Sequence, residues 1–369
     1  MFLERLELLD FRNYTALEVD FTATRVIFLG DNAQGKTNLL EAIGLLATGH
    51  SPTASKDLDL IRWGQPQAII RSRVQRSLTD MAVDMLIRAN GRRAVRINGI
   101  GQKRLADLFG KLLVVLFRSE DLQLVKGGPA GRRDYLDTML VQLASSHYQH
   151  LHDFNRVLTQ RNSLLRNIGE GHAPASRLED WNEQLITHAV SIWRKRVALV
   201  KALAPAVAMW HGRIAQGKEA LAIRYVPSVD LGDVEAAWPE HIEKALVELQ
   251  HREIARGQTL VGPHRDDLEI FIDGRPARQF GSQGQQRTVV LALKLAELDH
   301  VRETAGEAPL LLLDDVLAEL DVRRQNALLA SIGDDVQTFV TSTHLNDFSA
   351  AWLEQATLYQ VERGRLIPG

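Results

Sequence analysis

The chain has 369 residues, 45% of them hydrophobic and 24% charged, with a formal net charge of −2 at pH 7 and no cysteine. This length allows two or three units of ordinary domain size, or one core with an insertion, and the composition is that of a globular protein. The lack of cysteine excludes disulfides, thiol nucleophiles and thiolate metal sites, and the near-neutral charge excludes a uniformly basic nucleic-acid binder, so any such contact must come from a local patch.

Along the chain, Phe2, Leu6, Leu8 and Phe11 alternate with Glu4, Arg5, Glu7 and Asp10, predicting a strand, a turn at Arg12-Asn13-Tyr14 and a second strand to Phe21. An early interruption by charge argues against a secretory leader, and no apolar run approaches the ~18 residues of a membrane span. A cytoplasmic protein without membrane contact is expected. The apolar strand Val26-Ile27-Phe28-Leu29 runs into Gly30-Asp31-Asn32-Ala33-Gln34-Gly35-Lys36-Thr37, which reads G-x-x-x-x-G-K-T. The helical pattern from Thr37 and Asn38 to Ile43 follows directly. Strand, glycine-rich loop and helix in that order form a phosphate-binding loop. Its backbone N–H groups and the helix N-terminus attract an anion. Lys36 reaches the β- and γ-phosphates of ATP, and the Thr37 hydroxyl takes Mg²⁺. Gly30 to Asn38 are therefore the expected nucleotide-binding residues, with Arg12 as a further phosphate contact.

Further strands are expected at Ala68–Val74, Val83–Ile87 and Val95–Ile100, the last carrying an Asn98-Gly99 hairpin signal. Leu112–Phe117 reads as a buried strand. From about Arg132 to Leu249 the apolar period becomes helical, with a break at Gly169–Pro174 that would separate two antiparallel helices. Between Arg156 and Arg213 nine basic residues outnumber four acidic ones. A solvated helix face or a DNA-facing arm accounts for this. Arg132 and Arg133, which could instead anchor the arm, and Arg194, Lys195 and Arg196 are the DNA-binding candidates.

The strand pattern resumes near Gln258, and a helix is expected from Gln285 to His300. Pro309–Leu313 carries Asp314-Asp315 to a strand end, as in a Walker B strand. Asp314 would hold Mg²⁺, and Asp315 would orient and deprotonate the attacking water. Ser282-Gln283-Gly284-Gln285 opens the preceding helix in the form of an S-x-G-Q signature. Leu320-Asp321 supplies a D-loop, and His344, after the strand Thr338–Thr341, stands where a γ-phosphate-sensing histidine belongs. These residues give a catalytic set of Asp315, His344 and Lys36, with Ser282, Gly284 and Gln285 added to the nucleotide-binding set.

This order of motifs resembles that of ABC-type ATPase heads, and several runs resemble the RecF family of bacterial recombination mediators. They are Asp10–Tyr14, Leu60–Gly64, Glu120–Pro129 with Arg132-Arg133, Gln160–Leu165, Gly262–Leu268 and Ser282–Arg287. The sequence departs from the family at Ser119 and at Ser51-Pro52-Thr53. The 246 residues separating Lys36 from Ser282 exceed the insertion of a transporter ATPase and fall short of an SMC coiled coil. The resemblance implies an α/β fold, an SMC-like ABC-type ATPase head with an inserted, mainly helical arm. The head would be split between residues 1–131 and 250–369, with the arm at 132–249. It also implies a slow Mg²⁺-dependent ATPase that dimerises on ATP, binds gapped DNA and helps RecO and RecR load RecA during replication restart and SOS induction. In the dimer each ATP would lie between Lys36 of one protomer and Ser282 of its partner. The rivals are an ABC transporter ATPase subunit, a P-loop phosphotransferase and a nucleotide-gated scaffold.

Overall fold

The computed structural model describes residues 1–77, 79–91 and 93–369. In chain order, β1 (Phe2–Phe11) and β2 (Tyr14–Asp20) form a hairpin, and β3 (Arg25–Leu29) leads through the glycine-rich loop into α1 (Lys36–Thr48). There follow β4 (Gln67–Gln75), β5 (Asp80–Arg88), β6 (Arg93–Ile97), β7 (Ile100–Gly101) and β8 (Val114–Arg118). The helical stretch comprises α2 (Gln123–Lys126), α3 (Pro129–Leu143), α4 (Ser145–Gly169) and α5 (Glu179–Ala215). After β9 (Leu221–Val226) come α6 (Trp238–Arg256), β10 (Asp267–Ile272), β11 (Arg275–Pro276), α7 (Ala277–Phe280) and α8 (Gln283–Ala305). The chain closes with β12 (Leu310–Asp314), α9 (Val322–Ser331), β13 (Thr338–Ser342), α10 (Ala350–Leu353), β14 (Ala356–Glu362) and β15 (Arg365–Pro368).

Two compact units result: Met1–Leu122 with Met209–Glu219 and Ser282–Gly369, and Gln123–Ala208 with Ala220–Gly281. In the first unit, one sheet has the order β15-β14-β3-β13-β12-β8, all parallel pairings except β14 with β15. The other, β2-β1-β4-β5-β6-β7, is antiparallel throughout. Both follow from the strand sequences. Every residue of β12 is buried, as a strand covered on both faces requires. In β4 and β5, burial alternates along the strand. Leu39, Ile43 and Leu46 of α1 share one core with Leu6 and Leu8 of β1, Phe28 of β3, Leu312 of β12 and Phe339 of β13. The glycine-rich loop thus rests on a helix gripped by apolar side chains from both sheets.

In the second unit, α4, α5 and α6 pack around Phe154, Val157, Leu185, Trp193, Trp238, Ile242 and Leu246. A small sheet, β11-β10-β9, belongs to the same unit. This displaces the expected boundaries. Residues 250–281 lie with the helices rather than with the nucleotide-loop unit, because β10 pairs along its length with β9, from Asp267↔Val226 to Ile272↔Leu221. The arm is therefore helical with a three-stranded sheet, and residues 123–131 belong to it as well.

Polar pairs buried in this unit explain two of the runs that carry the family resemblance. Arg161, fully buried, donates from Nη2 to Glu253 Oε2 at 2.7 Å, from Nη1 to Thr259 Oγ1 at 2.8 Å and from Nε to Asn182 Oδ1 at 2.8 Å. Asn162 Oδ1 accepts from both the backbone N–H and the hydroxyl of Thr259. Asp266, also buried, accepts from Trp193 Nε1, the Tyr225 hydroxyl and the Ser228 N–H. Each charge is fully partnered, as burial demands.

Candidate functional site

The glycine-rich loop is held from both sides. Asn13 Nδ2 donates to the Gln34 carbonyl at 2.8 Å, and the Tyr14 hydroxyl donates to the Gly35 carbonyl at 3.0 Å. The N–H groups of Arg363 and Gly364 reach Gln34 Oε1 and its carbonyl at 2.8 and 3.0 Å. The fit is close enough to demand glycine. A Cβ on Gly30 would stand 2.5 Å from the Val361 carbonyl oxygen, and Gly35 has φ +117 with Asn13 2.6 Å from its missing Cβ. Lys36 is buried and its Nζ donates to the carbonyls of Gly30 and Asp31 at 2.7 and 3.0 Å. Loop, lysine and helix start thus have the form that cradles a nucleoside triphosphate. Asn38 gives its side-chain amide to Asn13 Oδ1 at 2.8 Å, which braces the loop.

The second half of the site comes from β12, separated from β3 by β13. Pairing in register brings the C-terminal ends of all three strands to one edge: Ser342 opposite Leu29, and Thr341 opposite Asp314. There the Thr37 hydroxyl donates to Asp314 Oδ1 at 2.9 Å. The Thr341 hydroxyl donates to the same oxygen at 2.9 Å and accepts the Asp315 N–H at 2.8 Å. Thr341 thus fixes both acids, a role that the sequence signals only as a hydroxyl closing an apolar strand. Asp315 itself sits at φ 51, a left-handed conformation that a non-glycine residue holds at a cost. Burial pushes the Asp314 carboxyl up to about 6, against the bonds from Thr341 and Thr37, and neighbouring Asp315 and Glu120 push the same way.

A carboxylate and a hydroxyl meeting at one point are hard oxygen donors suited to Mg²⁺, which keeps waters and phosphate oxygens in the rest of its shell. Among the described residues no group of three or more His, Cys, Asp or Glu could hold a metal alone. The donor set therefore fits a Mg²⁺ that arrives with phosphates.

Ser282 caps α8: its Oγ accepts the Gln285 N–H at 3.2 Å, and Gln285 Oε1 accepts the Ser282 N–H at 2.7 Å. Ser282 is exposed, while Gln285 is turned back to Glu219 Oε1 at 2.9 Å. Gly284 lies under Arg324, whose Nη2 donates to its carbonyl at 3.0 Å. Arg324 also pairs with Asp321, the N-cap of α9, so the signature and the D-loop are tied within the unit. His344 is exposed two residues beyond the end of β13, its N–H donating to Ser342 Oγ at 3.0 Å.

The remaining candidates have protein partners of their own. Arg12 Nε and Nη2 clasp the Glu41 carboxylate at 2.7 and 2.6 Å, and Nη1 donates to the Asp59 carbonyl. Ser51 and Thr53 give their hydroxyls to the same carboxylate, so the departure at Ser51-Pro52-Thr53 builds a closed cluster. Arg132 is buried, and its guanidinium grips both oxygens of Asp267 at 2.7 and 2.8 Å. Arg196 is likewise buried against Asp137 at 2.8 and 2.6 Å. Each is committed to an ion pair within the helical unit, which a contact with DNA would have to break. Arg133 donates to the Asp266 carbonyl at 2.7 Å. Arg194, exposed beside Glu235, and Lys195, bonded to Ser146 Oγ at 2.6 Å, remain near the surface.

Comparison with known proteins agrees with this architecture. The chain matches the RecF/RecN/SMC N terminal domain family over residues 2–366. It is 46% identical to a DNA replication and repair protein RecF of Gloeobacter violaceus, covering 99% of this chain and 98% of that one. A solved structure of the recombination mediator protein RecF-ATP of the RecFOR pathway superposes with a TM-score of 0.91 at 31% identity, covering 100% of this chain and 97% of that one. An SMC head bound to the C-winged helix domain of ScpA shares the fold at a TM-score of 0.55 and 14% identity, covering 100% and 97% of the two chains. With an SMC-like ABC-type α/β fold, a braced phosphate loop and 46% identity over nearly the full length of a RecF relative, the chain belongs to the RecF family of DNA replication and repair proteins.

Proposed function

We propose that the chain is a cytoplasmic ATP-dependent DNA-binding protein of recombinational repair. The observation that carries this reading is the 2.9 Å bond between Thr37 Oγ1 and Asp314 Oδ1, which joins two motifs 277 positions apart at one sheet edge. Lys36 would hold the β- and γ-phosphates, with Gly30 to Gly35 supplying backbone donors. Thr37 and Asp314 would hold Mg²⁺, which supplies charge neutralisation on the phosphate oxygens. Asp315 would orient the attacking water, and His344 would sense the γ-phosphate from the end of the intervening strand. Aspartate is one methylene shorter than glutamate, which favours slow turnover. The relative solved as RecF-ATP supports ATP as the nucleotide, and its RecFOR assignment supports RecO and RecR as partners. In that pathway the chain would bind DNA at single-strand gaps and help load RecA, supporting replication restart and the SOS response. A transporter ATPase is disfavoured by the family match.

ATP would also dimerise the protein. Ser282, exposed at the tip of α8, is free to meet the nucleotide of a two-fold-related partner. ATP stabilises the dimer because it binds that state better than the monomer, and hydrolysis releases it. Sedimentation with Mg²⁺ and a slowly hydrolysed ATP analogue tests this. The expected result is a nucleotide-dependent dimer in the wild type and a monomer that still binds nucleotide in Ser282→Arg. A wild type that stays monomeric, or a Ser282→Arg protein that dimerises normally, overturns it.

A further inference from the structure

We propose that the groove between the first turns of α5 and the helix α6 is a docking site for a basic amphipathic helix of a partner protein. The groove lies within the helical unit and encloses about 1170 Å³. Its walls follow helical spacing. On α5, Glu179, Glu183, Ile186 and Val190 succeed one another at three and four residues, and on α6 Glu243 and Val247 are four apart. The α5 wall from 179 to 190 extends roughly 16 Å, about three helical turns of a ligand.

Two features fix the chemistry of the occupant. The apolar part includes Ile186, Val190 and Val247, and Val247 is 63% exposed although it sits on a helix whose opposite face is core. The charged part is Glu179, Glu183, Glu240 and Glu243, all exposed, beside neutral side chains such as Asn182 and Thr187, with no Lys, Arg or His lining the groove among the described residues. None of these four carboxylates forms an ion pair among the described residues, whereas Glu235 and Glu253 of the same unit are paired with Arg194 and Arg161. An apolar strip bordered by unpaired carboxylates is complementary to a helix whose leucine-type stripe is flanked by Lys or Arg. The same carboxylates repel a phosphate backbone, so this surface is unsuited to DNA.

Fluorescence anisotropy provides the test. The probe is a fluorescein-labelled peptide of about 16 residues with a leucine stripe flanked by lysines, paired with a twin carrying glutamates instead. The full-length protein should bind the basic peptide saturably and the acidic twin at least about tenfold more weakly. Val247→Asp should weaken the basic peptide about tenfold, and the double change Glu183→Lys with Glu243→Lys should reverse the preference between the twins. These positions are exposed, and circular dichroism with unchanged nucleotide binding verifies that the variants fold. Equal binding of the twins, or variants that bind as the wild type does, overturns the proposal. So does displacement of the basic peptide by duplex DNA that the charge reversal does not alter. If Val247→Asp abolishes a self-association seen in the wild type, the groove belongs to a second copy of this chain and the proposal also fails.

Discussion

Asp314→Asn should stabilise the fold at neutral pH while removing the proposed metal ligand. The carboxylate is 8% exposed, and its two hydrogen bonds, from Thr37 and Thr341, both go to one oxygen. They do not offset its burial, so its pKa stands at about 6 against an ordinary 3.8. The folded state then binds the proton more tightly than the unfolded state. Stability from this group is full below 3.8, falls as pH rises through that window, and is lowest above 6. At about 1.4 kcal/mol per pH unit, the loss comes to roughly 3 kcal/mol. Asparagine keeps an oxygen to accept both hydroxyls and carries no charge. Urea unfolding of both proteins between pH 4 and pH 7.5 measures the difference, which should be near zero at the acidic end and grow to roughly 1–3 kcal/mol in favour of the variant. A difference independent of pH, or a variant less stable at pH 7 than at pH 4 relative to wild type, refutes the reasoning. Saturating Mg²⁺ and ATP should reverse the order, because only the wild type gains the metal.

Glu253→Ala should destabilise the helical unit by about 3–5 kcal/mol, since it leaves the buried Arg161 guanidinium without its carboxylate; a thermal midpoint within a degree of wild type would contradict this. For DNA, Arg194→Glu with Lys195→Glu should lower the slope of log affinity against log salt by up to about 2. Arg132→Ala should instead lower stability, because Asp267 loses both of its guanidinium bonds. An Arg132→Ala protein that folds as wild type does but loses DNA would restore that residue as a contact.

The elements that lie close together in sequence were legible. The β1–β2 hairpin, the strand–loop–helix around Gly30–Thr37, the Asn98-Gly99 turn and the apolar strand before Asp314 all follow from short-range pattern, and each is found where it was expected. Long-range pairing was not. Arg161, Arg196 and Arg132 look alike in a charge count, yet their carboxylate partners stand 92, 59 and 135 positions away. No local window can tell a buried pair from a solvated face. Arg12 has the same history: Glu41 lies on the inward side of α1, 29 positions on, and the two short hydroxyl residues at 51 and 53 complete its shell. The unit boundary at 281 rests on the pairing of β9 with β10, from Asp267↔Val226 to Ile272↔Leu221, a long-range register that no short window of sequence announces. Thr341 belongs in this group too, since its two hydrogen bonds to the acid pair come from strand register rather than from any motif.

The most direct test of the account is a calorimetric titration of Mg²⁺ and ATP into the wild type and Lys36→Met. Lys36 Nζ is held among the carbonyls of the loop itself, so the substitution removes a charge at the phosphate site without touching the sheet or its core. The wild type should bind one ATP per chain, and Lys36→Met should bind at least about tenfold more weakly, about 1.4 kcal/mol, or lose hydrolysis outright. Equal affinity and equal hydrolysis in the two proteins would contradict the assignment of this loop.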